Sequence, residues 1–147
     1  MTANRFNFRF WDKKNNYMFM QSCNNQDFEH IFIEDGEAIL ANALKHESGY
    51  ELAVAPKDRY VLMQSTGLVD KNGNEIFEGD IVKVSQFIIE DDKIRTIDFY
   101  DGQYQAMTIW GKDKKDKGRI NIFSNSPYGE KWNIEVIGNI YENKELL

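Results

Sequence analysis

The chain has 147 residues, 41% hydrophobic and 14% aromatic against 29% charged, and its 18 basic and 24 acidic side chains leave a net charge of −6. That length suits one domain with its own core, and the ring content favours pleated surfaces over helices. The negative balance argues against a general nucleic-acid coat; it suits an acidic partner of a basic protein and also plain solubility.

No apolar run approaches the roughly 20 residues that a membrane-spanning helix needs, and the opening MTANRFNFRFW alternates where a leader would be basic and then apolar. With a single thiol, Cys23, the expectation is a cytoplasmic protein without disulfide or membrane contact.

In chain order, Phe6, Phe8 and Phe10 alternate with Asn7 and Arg9, a period of two that predicts a strand with three rings on one face. Asp12 to Asn16 supplies turn residues and Tyr17 to Gln21 the returning strand of a hairpin. Asn24 to Asp27 is a loop and Ile31 to Ile33 a short strand, with Glu34 or Asp35 able to cap the next element. Between Gly36 and His46, Ile39, Leu40, Ala43 and Leu44 recur at helical spacing, and Gly49 stands where a stop signal belongs, so one short amphipathic helix is expected. Tyr50 to Ala55 and Arg59 to Gln64 are strands about a Pro56-Lys57-Asp58 turn.

Asn72-Gly73 then provides the positive φ of a tight reversal, and Glu78-Gly79-Asp80 a second turn before the strand Ile81 to Val84. Phe87 to Glu90 leads to an acidic turn at Asp91-Asp92. Ile94 to Tyr100, Asp101-Gly102 and Gln103 to Trp110 make the clearest hairpin. A charged loop from Gly111 to Gly118, a strand from Arg119 to Phe123, a turn around Pro127 and a last strand from Trp132 to Tyr141 complete the chain. The pattern predicts a mainly β protein: a small SH3-like or partly open β-barrel with an N-terminal hairpin and one short helix. It is a single domain, in which a region of about 1–58 packs on a barrel core of about 59–147.

Reactive constellations are sparse. His30 and His46 stand 16 apart with no paired ligand, which is not zinc spacing, and Gly67, Gly73 and Gly79 lie six apart as turn markers rather than as a phosphate cradle. Asp70, Glu75, Glu78 and Asp80 form the nearest thing to a carboxylate cluster, but their spacing does not match a calcium loop. Gly67, Asp70, Asn72, Gly73, Gly79, Asp80, Asp101 and Gly102 are therefore assigned to turns, and no catalytic, cofactor-binding or metal-binding residue is expected. Two charged stretches are candidate partner surfaces. One is acidic, Glu90, Asp91 and Asp92; the other is basic, with Lys112, Lys114, Lys115, Lys117 and Arg119 between Trp110 and Phe123. The rings Phe6, Phe8, Phe10, Trp110 and Trp132 are expected in the core.

Three separated stretches, Phe8 to Lys14 (FRFWDKK), Met63 to Val82 (MQSTGLVDKNGNEIFEGDIV) and Ile134 to Asn143 (IEVIGNIYEN), resemble the YopX family of phage and prophage proteins. The resemblance runs in family order over essentially the whole chain; Ser65 replaces a common aromatic and Phe77 a common tyrosine. It implies a mostly β fold with a barrel-like core and some helix near the N-terminus, a phage or prophage origin and a homo-oligomer, and it implies no reaction. The leading expectation is a phage-encoded accessory protein that works as a non-enzymatic binding or self-assembling module, its partner being itself or a host or phage protein. The alternatives are an acidic inhibitor of a host nucleic-acid-processing or defence protein, and a nucleic-acid-binding barrel using the loop 112–119. Function is expected on the surface from Ser85 to Lys131.

Overall fold

The computed structural model describes residues 7–20, 30–34, 37–46, 49–54, 58–85, 94–108, 119–124 and 131–147. They fall into two compact units, Asn7–Met63 and Gln64–Leu147. Apart from one 3₁₀ turn at Lys144–Leu146, every regular element among them is a strand; none is a helix long and apolar enough to cross a membrane.

In the first unit, β1 (Phe8–Asp12) and β2 (Tyr17–Met20) form the N-terminal hairpin, with Phe10 opposite Phe19 and Trp11 opposite Met18. Phe10 stacks on Phe19 at 5.2 Å, and Phe19 meets Tyr60 edge-on at 6.0 Å. Phe8, Tyr17 and Leu62 close this aromatic cluster. Each ring taken from water contributes about 1.5–3 kcal/mol, so the alternation of phenylalanines is what anchors the hairpin. Phe6 lies outside the described residues.

The helix expected between Gly36 and His46 is not formed. The segment is instead a ten-residue strand, β4 (Glu37–His46), between β3 (His30–Glu34) and β5 (Gly49–Val54). Ile31 pairs with Leu40 on one side and Ala43 with Leu52 on the other. Helical spacing of four apolar residues is a weak prior. Here β3 and β5 supply partners for both rows of β4 backbone groups, which a lone helix of this length would have to satisfy by itself. Gly49, read as a helix stop, opens β5 opposite His46.

The strand β6 (Tyr60–Val69) starts beside β1 in the first unit and continues into the second, where it pairs with β7 (Glu75–Phe77). It runs past Gln64, where the strand was expected to end, and its register against β7 shifts between Ser65 and Val69, where Gly67 takes a φ of 78°. Next come β8 (Asp80–Ser85), β9 (Ile94–Tyr100), β10 (Gln103–Thr108), β11 (Arg119–Asn121) and β12 (Asn133–Asn139). They make an antiparallel half-barrel in the order β11-β10-β9-β8-β12, the partly open form of the expected barrel.

Its core joins Ile76, Val82, Val84, Ile97, Ala106, Ile122 and Ile134, with Leu68, Tyr104 and Trp132 packed against them. Val82 and Val84 point inward while Lys83 between them is exposed, as a strand with one solvated face requires. Trp132 thus joins the core; Trp110 lies outside the described residues.

Candidate functional site

The polar residues of the central block build turns. Asp70 is 5% exposed, and its carboxylate accepts the Asn72 and Asn74 N–H groups at 2.8 Å each, the Asn74 side-chain amide at 3.2 Å and the Val136 N–H at 3.1 Å. Burial pushes the Asp70 carboxyl up, but the donors from Val136, Asn74 and Asn72 outweigh it and hold the group below its ordinary value. Beside it Gly73 has a φ of 87° with open space around its α-carbon, so the glycine is there for backbone geometry and not for close approach. Asp80, 1% exposed, accepts the Phe77 N–H at 2.8 Å across the Glu78-Gly79 turn. Gly67, Gly79 and Gly102 also carry positive φ, as does Asp101, which with Gly102 forms the tip of the β9–β10 hairpin.

In the first unit the analogous carboxylate is Asp12, fully buried and gripped by the Arg59 guanidinium, Nε to Oδ1 at 3.1 Å and Nη2 to Oδ2 at 2.6 Å. Burial raises its carboxyl, yet the Arg59 bond and the Asn15 and Lys14 N–H groups lower it further, so it too stays below the usual range. Arg59 also lies over the Tyr60 ring, 4.9 Å from the centroid. This is a structural clamp on the hairpin turn.

A concave site lies in the second unit, a cavity of about 470 Å³ lined by Gln64, Ser65 and Thr66 of β6, Phe99, Gly102, Gln103 and Tyr104 of the β9–β10 hairpin, and Phe123 after β11. Its floor is fixed. Ser65 Oγ donates to Glu75 Oε1 at 2.5 Å and accepts the Gly67 N–H at 3.1 Å, while Thr66 Oγ1 donates to the Ile76 carbonyl at 2.9 Å and accepts the Leu68 N–H at 3.2 Å. On the hairpin side, Gln103 Oε1 accepts the Asn121 amide at 2.8 Å.

Its rim is aromatic and open: Phe99 is 55% exposed and Phe123 49%, and Phe99 meets Tyr104 edge-on at 5.0 Å. With Tyr100 at 43%, they are the exposed rings among the described residues, and rings left in water at the mouth of a cavity are a feature of contact surfaces.

Acidic groups stand close by. Burial, then the neighbouring Asp98 carboxylate, push Glu78 up against the opposing pull of the Gln64 backbone hydrogen bond. The Tyr104 phenol is pushed up to about 12, by burial first and by the Glu78 carboxylate second. Carboxylates therefore act electrostatically on the cavity wall, while no three His, Cys, Asp or Glu side chains gather as metal donors among the described residues.

Of the residues assigned to turns from sequence, Asp70, Asn72 and Gly73, then Gly79 and Asp80, then Asp101 and Gly102 stand at three reversals, and Gly102 lines the cavity; Gly67 instead lies inside β6 at its register shift against β7. Glu90, Asp91, Asp92, Lys112, Lys114, Lys115 and Lys117 lie outside the described residues, and Arg119 is placed as the first residue of β11. Sequence reasoning missed the pairing of Gln64, Ser65 and Thr66 with Phe99, Tyr104 and Phe123. The signal that could have found it was Phe99-Tyr100 just before Asp101-Gly102, two rings at a hairpin tip, where side chains project beyond the core.

The family model described as YopX protein matches residues 7–147. The chain belongs to the YopX family. Among solved structures, protein yopX from Bacillus subtilis is similar at 22% identity with a TM-score of 0.61, over 98% of this chain and 99% of that one, a likeness of fold. Protein EF1440 from Enterococcus faecalis is 28% identical over 96% of each chain, with a TM-score of 0.47. No curated protein matches the chain. The family description names no reaction.

Proposed function

We propose that this YopX-family chain is a phage-encoded accessory protein of the host cytoplasm that acts by binding and not by catalysis, with the cavity of the half-barrel as its contact site. The observation that carries this is the aromatic rim: Phe99 and Phe123 remain about half exposed around a cavity whose volume falls within the roughly 300–1,000 Å³ of ligand sites. The Ser65 and Thr66 hydroxyls of the lining are engaged in holding β6 to β7 and its bulge, so they serve the scaffold rather than a reaction.

A protein-observed NMR screen with small fragments and short peptides tests the site. Signals that move first at Phe99, Gly102, Gln103 and Tyr104 support the assignment; shifts elsewhere, or none, refute it. Light scattering over a concentration range, on the native chain and on Phe99→Ala/Phe123→Ala, shows whether a second copy of the chain occupies the rim: self-association that the double variant abolishes makes the module a self-assembling one.

A further inference from the structure

We propose that the cavity of the half-barrel receives an arginine side chain from a basic partner segment, held between the rings of its rim and the carboxylates beside its wall. This deepens the binding assignment above and rests on it.

Three features point to a cation. First, Phe99, Tyr104 and Phe123 offer ring surface at the mouth, and Phe99 and Tyr104 already meet edge-on, an arrangement that leaves a ring face for a planar group to lie on. Second, among the described residues, the charged side chains bonded to the lining or next to it in the chain are acidic. Glu75 holds Ser65 of the floor, Glu78 acts on the Tyr104 phenol, Asp98 acts on Glu78, and the exposed Asp101 adjoins Gly102 of the lining. The described lining residues themselves are uncharged, so these neighbouring carboxylates set the sign of the field at the cavity. A phosphate or carboxylate ligand would meet repulsion there, whereas a cation relieves the mutual repulsion of Glu78 and Asp98. Third, the chain carries a net charge of −6, which draws basic partners at long range. Between the two basic side chains, arginine matches the site better. Its guanidinium is flat, more weakly hydrated than an ammonium, and can stack on a ring while donating to carboxylate and amide oxygens in its plane.

The test uses the full chain and three seven-residue peptides of glycine and serine with arginine, citrulline or lysine at the centre, titrated by NMR. Citrulline keeps the shape of arginine and removes the charge. Binding of the arginine peptide at Gly102, Gln103 and Tyr104, at least tenfold tighter than the citrulline peptide and tighter than the lysine peptide, is the expected result. Phe123→Ala, a truncation at a half-exposed site that leaves the core intact, weakens it about threefold to fivefold, and Glu78→Gln weakens it by a similar factor.

Equal binding of arginine and citrulline peptides overturns the charge assignment, and lysine binding as tightly as arginine overturns the stacking geometry. If neutral fragments occupy the cavity while the arginine peptide does not, the cation proposal fails and the binding site stands; if nothing occupies it, both fail.

Discussion

Replacing Asp70 by asparagine isolates the contribution of one charge to the turn that closes the central block. The substitution keeps the size of the side chain and leaves Oδ1 to accept from the Asn72 and Asn74 N–H groups, but it puts an amide donor where Oδ2 now accepts from Val136 N–H at 3.1 Å and from the Asn74 amide at 3.2 Å. Asn74 is exposed and can turn to water. The half-buried Val136 N–H loses a charge-assisted bond worth about 1.5–3 kcal/mol, so Asp70→Asn should cost about 2–3 kcal/mol and Asp70→Ala, which loses all four acceptor contacts, about 3–5 kcal/mol.

With a urea slope of about 1–3 kcal/mol per molar, Asp70→Asn lowers the denaturation midpoint by about 1–2 M at neutral pH. The pH dependence has a definite sign. The folded carboxyl lies below its ordinary 3.8, so its stabilising contribution is complete above that value and disappears as pH falls through the folded value. Urea titrations of both chains from pH 7 downward should show the gap between them closing only below pH 3.8. A gap of less than about 0.5 kcal/mol at pH 7, or one that stays constant into acid, would refute the account.

Arg59→Ala strips the fully buried Asp12 carboxylate of its bidentate partner and should destabilise the N-terminal unit by about 3–5 kcal/mol, with the Asp12 carboxyl rising in an NMR titration and Arg59→Lys falling between. Gly138→Ala places a methyl 2.5 Å from Asn143 Oδ1 and 2.9 Å from its Cβ; a loss of about 1–3 kcal/mol in thermal melts is expected, recovered only in part when Asn143→Gly is added, because that change also removes the acceptor of the Asn139 N–H at 3.1 Å. Glu78→Gln should bring the Tyr104 phenol part of the way down from about 12, because burial, the larger cause, remains; an unchanged late ionisation in the ultraviolet absorbance of the phenol would show that the carboxylate does not act on the cavity wall.

How much of the fold was legible in the sequence depends on how local each cause is. The hairpin at Asp101-Gly102 and the reversal at Asn72-Gly73 were visible because the positive φ they need is a property of one or two residues. The strand at Phe8 and Phe10 was visible because the ring alternation is written along a single segment, whereas the burial of Arg9 and Trp11 on its other face was not, since that depends on distant parts of the chain. The segment from Glu37 to His46 was misassigned because its apolar spacing satisfies a helix template, whereas its partners β3 and β5 are what make it a strand. Distant partners also explain why the site was missed. The cavity joins residues 64–66, 99–104 and 123, and no window of sequence contains them together. The sharper case is Asp70: composition marks it as a turn residue, and it is one, but its bond to Val136, 66 residues on, also ties the turn to the last strand.

The same distinction between local and distant causes separates what the cavity can vary from what it cannot. Ser65 and Thr66 are each about 1% exposed and each carries two hydrogen bonds that set the bulge of β6 against β7. Changing either side chain disturbs strand pairing before it alters a ligand contact, since a donor or acceptor left behind in a buried position costs about 1–3 kcal/mol. Phe99 and Phe123 are under no such constraint. Half in water, Phe123 can be exchanged for other residues within about 0.5 kcal/mol of fold stability, and Phe99 at the further loss of its edge-on contact with Tyr104 at 5.0 Å, about 0.5–1.5 kcal/mol, while each exchange alters the ring surface of the proposed ligand site. The floor therefore belongs to the fold and the rim to recognition. Exchanges at position 123 should shift ligand preference with the melting temperature unchanged, exchanges at 99 should shift it with a small loss from the Tyr104 contact, and exchanges at 65 and 66 should lower the melting temperature first.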